Sequence, residues 1–329
     1  MKNAKRGQTL FCVLLLLSLL AGFIAGGCGA APKTTKVVRV GFLRNDLHQL
    51  AYYVAREKGF FTEQGLDIRE GGAFNAGPEE MSAFSAGELD IGYVGMASCV
   101  TFASQNMADV KIVAQANANG SSIMVRPGLD AGDVSALRGR TVAIPGMSTL
   151  EDFLLRTALQ KAGVDPVGVN IIVVKPPEMI SALATAQVDA TIACEPYPSM
   201  AHAQKAGRVL ENSSKIWPRH PCCVVVADAA FMDRNPDAVR RFVAAHVKAT
   251  EYIKKNIAEA SSMAHLFTGQ ESAVVNSAMK NIRFDYRPET KAITKYVEFM
   301  KRAGVVKQKN PSAFTRNLVD ARFLPGRGS

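Results

Sequence analysis

The stretch PEEMSAFSAGELDIGYVGMAS, Pro78 to Ser98, decides how the rest of the chain is read. Its first half has the pattern of a helix stopped at Gly87, since glycine takes the left-handed backbone of a helix end without penalty. Leu89, Ile91 and Tyr93 alternate with Asp90 and Gly92, which predicts a strand over Leu89–Tyr93. A loop of small residues follows. The pattern recurs in Pro177–Ala190, PEMISALATAQVDA, which aligns without gaps on Pro78–Ile91. Pro78, Glu79, Ser82, Ala83 and Asp90 return as Pro177, Glu178, Ser181, Ala182 and Asp189. Two amphipathic helix–strand units can agree by chance. The alternative is a pair of similar α/β lobes, each bringing the loop after its strand to a shared cleft, where open α/β sheets bind ligands.

Upstream, Val37–Leu43 reads as a strand, Leu50–Lys58 as a helix stopped by Gly59, and Gly65–Arg69 as the start of another strand. This β-loop-α-β order opens a parallel sheet. Arg44, Asn45, His48 and Gln49 gather polar groups at the first strand's carboxyl end, either as ligand contacts or as a solvated loop, and Asp46 can cap the helix. Downstream, strands at Val110–Ala114 and Ser122–Val125 are separated by a small, polar run suited to a hinge. Asn117 and Asn119 there either face the cleft or form a turn. Thr141–Ile144 is a strand, and Pro145–Thr149 leads into a helix over Leu150–Gln160 with Ser148 or Thr149 as N-cap. Free N–H groups at that helix start attract an anion, although Glu151 and Asp152 beside them disfavour a doubly charged one. Val169–Val174 is a strand, Arg208–Leu210 closes the second lobe, and HPCCVVV, residues 220–226, opens a buried strand. Helices follow at Asp237–Asn256, Ile257–Phe267, Ser272–Asn281 and Pro288–Ala303, and are expected to pack around the first lobe.

The 329 residues allow two domains, and 48% hydrophobic with 21% charged residues is ordinary globular composition. Met1–Gly7 is basic, Leu10–Ile24 is almost wholly apolar, and Ala25-Gly26-Gly27-Cys28 follows. That is the layout of an export signal. Removing it lowers the net charge from +10 to +7, still favourable to anionic ligands or membrane surfaces. The cations are scattered, which argues against nucleic acid. Besides Cys12 and Cys28 there are Cys99, Cys194, Cys222 and Cys223, whose spacing fits no zinc template. Buried thiols or a disulfide from Cys222 or Cys223 both remain open. No catalytic triad spacing, phosphate loop or metal motif stands out, and no cofactor is expected.

Cys28 after Ala-Gly-Gly resembles a bacterial lipoprotein signal, in which this Cys is lipidated and becomes the N-terminus; an uncleaved anchor is the alternative. The runs AREKGFFTEQGLD (residues 55–67), Gly71-Gly72 and AGELDIG (86–92) resemble the nitrate/sulfonate/taurine-type substrate-binding proteins of ABC importers. The likeness runs from about Val37 to about Lys255. It implies a type II periplasmic-binding-protein fold, two Rossmann-like α/β lobes joined by a two-segment hinge. The expected layout is a signal peptide at 1–27, a linker at 28–36, lobe I at 37–118 with 217–329, and lobe II at 119–216. The implied function is a membrane-tethered, extracytoplasmic, monomeric protein that hands a small ligand to an ABC permease and is not an enzyme. Sulfonate, nitrate or bicarbonate-like anions are the first reading of the ligand, and a thiamine-pyrimidine or similar aromatic precursor is the second. The Cys222-Cys223 pair also resembles part of a cysteine run in a thiamine-pyrimidine synthase of the same fold, which supplies an enzyme alternative. The expected ligand contacts are Arg44, Asn45, His48, Gln49, Asn75, Met96, Ala97, Asn119, Ser148, Thr149, Glu195 and Tyr197. Arg44 and Glu195, from opposite lobes, would suit a ligand with an acceptor end and a donor end.

Overall fold

A computed structural model describes residues 36–147 and 149–326. The expected leader, the candidate lipidation position Cys28 and the candidate cap Ser148 lie outside the described residues. The strands are β1 (Lys36–Leu43), β2 (Leu66–Phe74), β3 (Ile91–Gly95), β4 (Val110–Gln115), β5 (Asn117–Asn119), β6 (Ser121–Val125), β7 (Thr141–Ile144), β8 (Asn170–Val173), β9 (Ala190–Cys194), β10 (Arg208–Asn212), β11 (Cys223–Asp228) and β12 (Ile282–Phe284).

Ten of them form two sheets with one design. The first has the order β2-β1-β3-β11-β4 and the second, read from its far edge, β8-β7-β9-β6-β10. In each, three strands run parallel and the fourth enters antiparallel. The chain crosses between the sheets twice, from β4 to β6 and from β10 to β11. Because parallel strands need helical crossovers, each sheet is covered on both faces.

The repeated aspartates explain the repeat. Asp90 Oδ2 accepts the Arg39 backbone N–H at 2.8 Å, and Asp90 N–H donates back to the Arg39 carbonyl at 2.9 Å. Asp189 does the same with Thr141, at 3.1 and 2.9 Å. Each carboxylate also holds an arginine, Arg39 at 2.7 Å and Arg126 at 3.0 Å. The shared Asp thus clamps the entry of one central strand to its neighbour in both sheets. That use of Asp90 also moves the strand: β3 begins at Ile91, not Leu89, and runs through Gly95. The alternation is lost in burial, since Ile91 to Val94 are all buried between helical layers.

The helix Pro236–Lys255 lies on the helices Leu50–Glu57 and Phe60–Glu63 of the first sheet, with the Phe242 ring 4.8 Å from that of Phe61 and tilted 31° to it. The expected helix over Ser272–Asn281 ends at Met279, because Ile282–Phe284 forms β12 and pairs with β5 in the first crossover. Two further helices, Ala229–Arg234 and Pro311–Leu318, have no counterpart in the sequence expectation. The two sheets also meet through aromatic packing. Phe153, on the helix Leu150–Lys161 of the second, makes edge contacts with Trp217 at 4.9 Å, Tyr296 at 5.3 Å and Phe299 at 4.4 Å. Among the described residues no helix is long and apolar enough to cross a membrane.

Candidate functional site

The loops after β1, β7 and β9 and the crossover after β5 converge on His48, which is completely buried. Asp46 caps the turn Leu47–Gln49 by accepting the His48 backbone N–H at 2.9 Å, and the same oxygen lies 2.8 Å from His48 Nδ1. His48 Nε2 faces the Asn119 carbonyl at 3.2 Å. Both ring nitrogens therefore meet acceptors, an arrangement that suits the imidazolium. Burial alone would push this histidine down, but the charge and hydrogen bond of Asp46 and the Asn119 carbonyl hold it above its ordinary value. Gly120 closes the contact. At its φ of +93° a Cβ would sit 2.2 Å from His48 Nε2, so only glycine fits. Asn117 joins the crossover to both neighbours, donating to the His48 carbonyl at 3.3 Å and accepting the Cys223 N–H at 3.0 Å.

The second sheet contributes carboxyl groups. Glu151, in the first turn of Leu150–Lys161, turns inward and accepts from Ser121 Oγ at 3.1 Å. Glu195, fully buried after β9, accepts the Ser199 N–H at 3.1 Å and Asn281 Nδ2 at 2.7 Å. Its own N–H donates to the Gly120 carbonyl at 2.7 Å. Burial raises the pKa of both acids. Beneath the first loop, Glu80 is buried against Gly92 and held well above the carboxylate range, first by burial and then by the charge of Asp46. A cavity of ≈ 370 Å³ opens beside Glu195, lined by Ser199, His202, Arg208, Ser277 and Asn281 among others. A larger one of ≈ 620 Å³ sits between the start of β4 and the helix Pro311–Leu318, away from the strand ends that converge on His48.

The expected contacts divide. His48, Asn119 and Glu195 come together at this interior. Gln49 is buried but spends its amide as a staple, accepting the Leu43 N–H at 2.6 Å and donating to the Tyr93 carbonyl at 2.7 Å. Arg44 is exposed and donates to the Ala73 carbonyl at 3.0 Å, so it does not meet the buried Glu195. Asn45 and Asn75 are also exposed. Met96 and Ala97 are buried, and the Met96 N–H is bound to the Cys222 carbonyl at 2.9 Å. Thr149 acts as the helix cap, accepting the Asp152 N–H at 3.3 Å. Tyr197 is half-buried at the start of its helix. Local sequence rules make Asp46 a cap and Glu151 a nearby charge, and give no functional signal for Glu80, His220 or Asn281. Asn281 is 86 residues from Glu195, beyond any local pattern.

Asp46, His48 and Cys194 offer ligand atoms within 4.8 Å of one another. A metal would need a bare imidazole nitrogen, and both here face oxygens. Nucleophilic chemistry also fits poorly. Burial, then the charges of Asp46 and Glu151, push the Cys194 thiol well up, so no thiolate is poised. Cys99, Cys194, Cys222 and Cys223 are all free thiols, and Cys222 and Cys223 are both buried.

Comparison with known proteins places this architecture. A binding protein of Brucella abortus is 30% identical over 74% of this chain and 75% of its own length. A Bacillus subtilis protein named for aliphatic sulfonate binding is 27% identical over 83% of this chain and 82% of its own. The taurine-binding periplasmic protein of Escherichia coli is 25% identical over 60% and 61%. Among solved structures, the periplasmic nitrate-binding protein NrtA of Synechocystis superposes with a TM-score of 0.79 at 16% identity, covering 89% of this chain and 88% of that one. The alkanesulfonate-binding protein SsuA of Xanthomonas axonopodis, bound to MOPS, gives 0.75 at 18% identity over 87% and 99%. The fold is that of the periplasmic binding proteins, two α/β lobes joined by a two-segment hinge. The profile of the NMT1-like family matches residues 30–268, and the chain belongs to that family.

Proposed function

We propose that this protein is an extracytoplasmic solute-binding protein that closes two lobes on one small polar molecule and delivers it to an ABC permease. The observation that carries this reading is the meeting of buried polar groups from both sheets at the crossover: Asp46 and His48 from the first, Glu151 and Glu195 from the second. Each lobe supplies part of the contact, so only the closed form surrounds the ligand, and ligand binding shifts the population towards closure. The relatives named for sulfonate and taurine binding support a small polar solute. In this reading residues 1–27 are removed, Cys28 carries the lipid, and residues 28–36 are the tether. Lobe I then comprises 37–118 and 217–329, and lobe II 119–216. The protein acts as a monomer and returns its ligand unchanged. The synthase alternative is disfavoured by protonated thiols and by a His48 already bound at both nitrogens.

The test uses the full chain expressed with its leader. Radiolabelled fatty acid should enter the wild type and not Cys28→Ser. Small molecules released from the purified protein by denaturation, identified by mass spectrometry and added back, should compact it in solution scattering and be recovered intact. Consumption of the ligand, or an unchanged radius at saturation, would refute the reading.

A further inference from the structure

The charge of the interlobe interior is poorly matched to an oxyanion. Asp46, Glu80, Glu151 and Glu195 are four acidic side chains there, each more than nine-tenths buried. Among the described residues no Lys or Arg side chain is buried. Arg44, two residues before Asp46, is exposed and turned to the Ala73 carbonyl. His48 is the basic group of the cluster, and Asp46 already neutralises it. That leaves Glu151 and Glu195, both on the second lobe, without an ion pair: His48 acts on them through space, and Arg208, which lines the cavity beside Glu195, donates instead to the Leu129 and Ala131 carbonyls, so burial raises the pKa of both acids. Their present partners are a hydroxyl, an amide and a backbone N–H, all neutral donors.

A second observation is independent of the acids. His220, fully buried beside the crossover and within the field of His48, makes no side-chain hydrogen bond of normal geometry at either ring nitrogen, although the Pro221 backbone lies near enough to oppose the effect of burial. It remains neutral, since burial lowers its pKa to about 4. A neutral imidazole presents one N–H donor and one acceptor lone pair, so His220 can receive a group of either polarity. The buried Asn119 Oδ1, on the same crossover, is also an acceptor without a donor. Buried acceptors are normally paired, and since His220 lacks one partner of each kind, the unpaired Asn119 Oδ1 tips the interior towards a missing donor. An anion entering it would meet like charge at low dielectric and would have to win His48 from Asp46. A nitrogen cation would bring both the missing charge and the missing donors.

We propose that the cleft recognises a small organic cation whose charged nitrogen carries N–H donors, an ammonium or amidinium group, received by Glu195 and Glu151. This rests on the solute-binding reading above and narrows it. Asn281 holds the Glu195 carboxylate in place, and the Asp46–His48 pair forms a charge-balanced wall.

The test compares two sets of probes against the mature wild-type chain by thermal shift and titration calorimetry. Butylammonium, benzamidinium and 4-aminopyridinium form one set; methanesulfonate, nitrate and bicarbonate form the other. Saturable binding from the first set alone is the expected result. Glu195→Gln and Glu151→Gln should each then weaken the bound cation by about tenfold or more, while the exposed Glu88→Gln should not. Saturable binding of an anion with no response to the cations would overturn the proposal and leave the solute-binding function standing. So would a co-purified ligand, identified by mass spectrometry, that has no N–H donor. No response to either set, no co-purified molecule and no compaction would defeat the solute-binding reading and this proposal together.

Discussion

Phe299→Ala tests whether the aromatic contact between the lobes holds the molecule shut. Phe299 lies on the helix Thr290–Arg302, and its ring meets Phe153 of the other lobe at 4.4 Å and 68°. An edge-to-face pair contributes about 0.5–1.5 kcal/mol beyond its buried area. Uncovering the half-buried ring face adds about 1 kcal/mol at the usual area coefficient. A loss of about 2 kcal/mol would change the closed-to-open ratio roughly 30-fold. Trp217 reports the change directly. It is the single tryptophan, 8% exposed, and its ring lies 4.9 Å from Phe153. In Phe299→Ala, acrylamide should quench Trp217 more strongly, its emission should shift to the red, and the scattering radius should grow. Any ligand requiring closure should bind correspondingly more weakly. A folded variant with lowered thermal stability but unchanged quenching and radius would refute the argument, since Phe299 would then be supporting only its own lobe.

The hinge and the buried polar groups give further predictions. Asn281→Ala removes a 2.7 Å donor from buried Glu195 and should cost about 1.5–3 kcal/mol in chemical denaturation. The cost should shrink in a Glu195→Gln background, and an equal cost in both would mean that the hydrogen bond contributes nothing. Gly120→Ala should destabilise by more than about 2 kcal/mol, because the new methyl would overlap His48 and the left-handed backbone adds strain; wild-type stability would contradict the packing described. His246 is buried, with Nε2 2.8 Å from the Gln115 carbonyl and Nδ1 3.0 Å from Tyr93 Oη, and burial lowers its pKa to about 4. Below pH 6.5 the unfolded chain binds a proton that the folded one refuses. Stability is therefore complete above pH 6.5 and falls by about 1.4 kcal/mol per unit as the pH drops towards 4. His48 has the opposite sign. Its folded pKa is raised, so its contribution is complete below 6.5 and disappears as the pH rises through the folded value. Denaturation of wild type, His246→Gln and His48→Gln across pH 4.5–8.5 should show difference slopes of opposite sign, and parallel curves would rule this out.

Local pattern was enough for much of the framework. Gly87, at φ +72°, ends its helix as its position implied, and β7 occupies the four residues read as a strand. The repeat around Asp90 and Asp189 pointed to twin α/β units, and the two aspartates make the same clamp in both sheets. These features depend on neighbours along the chain, where residue type and spacing act directly on backbone preference and on the buried face.

The interior of the site was far less legible. The capping roles of Asp46 and Thr149 follow from local rules, but nothing local says that the Asp46 carboxylate also pairs with the His48 ring, or that Glu151 turns inward to Ser121. Arg44 and Asn45 stand on the same loop as His48 yet remain exposed, because the turn after β1 buries only Asp46 to Gln49. The exchange of β11 and β6 between neighbouring units, the seating of β12 on β5, and the Asn281–Glu195 bond join residues far apart in sequence. The sequence by itself determined the repeated helix–strand units, the glycine that stops the first helix, and their family. Only the tertiary structure decided which polar groups share the interlobe interior, because burial, and with it charge state and hydrogen-bond partner, is set by what the rest of the chain brings alongside.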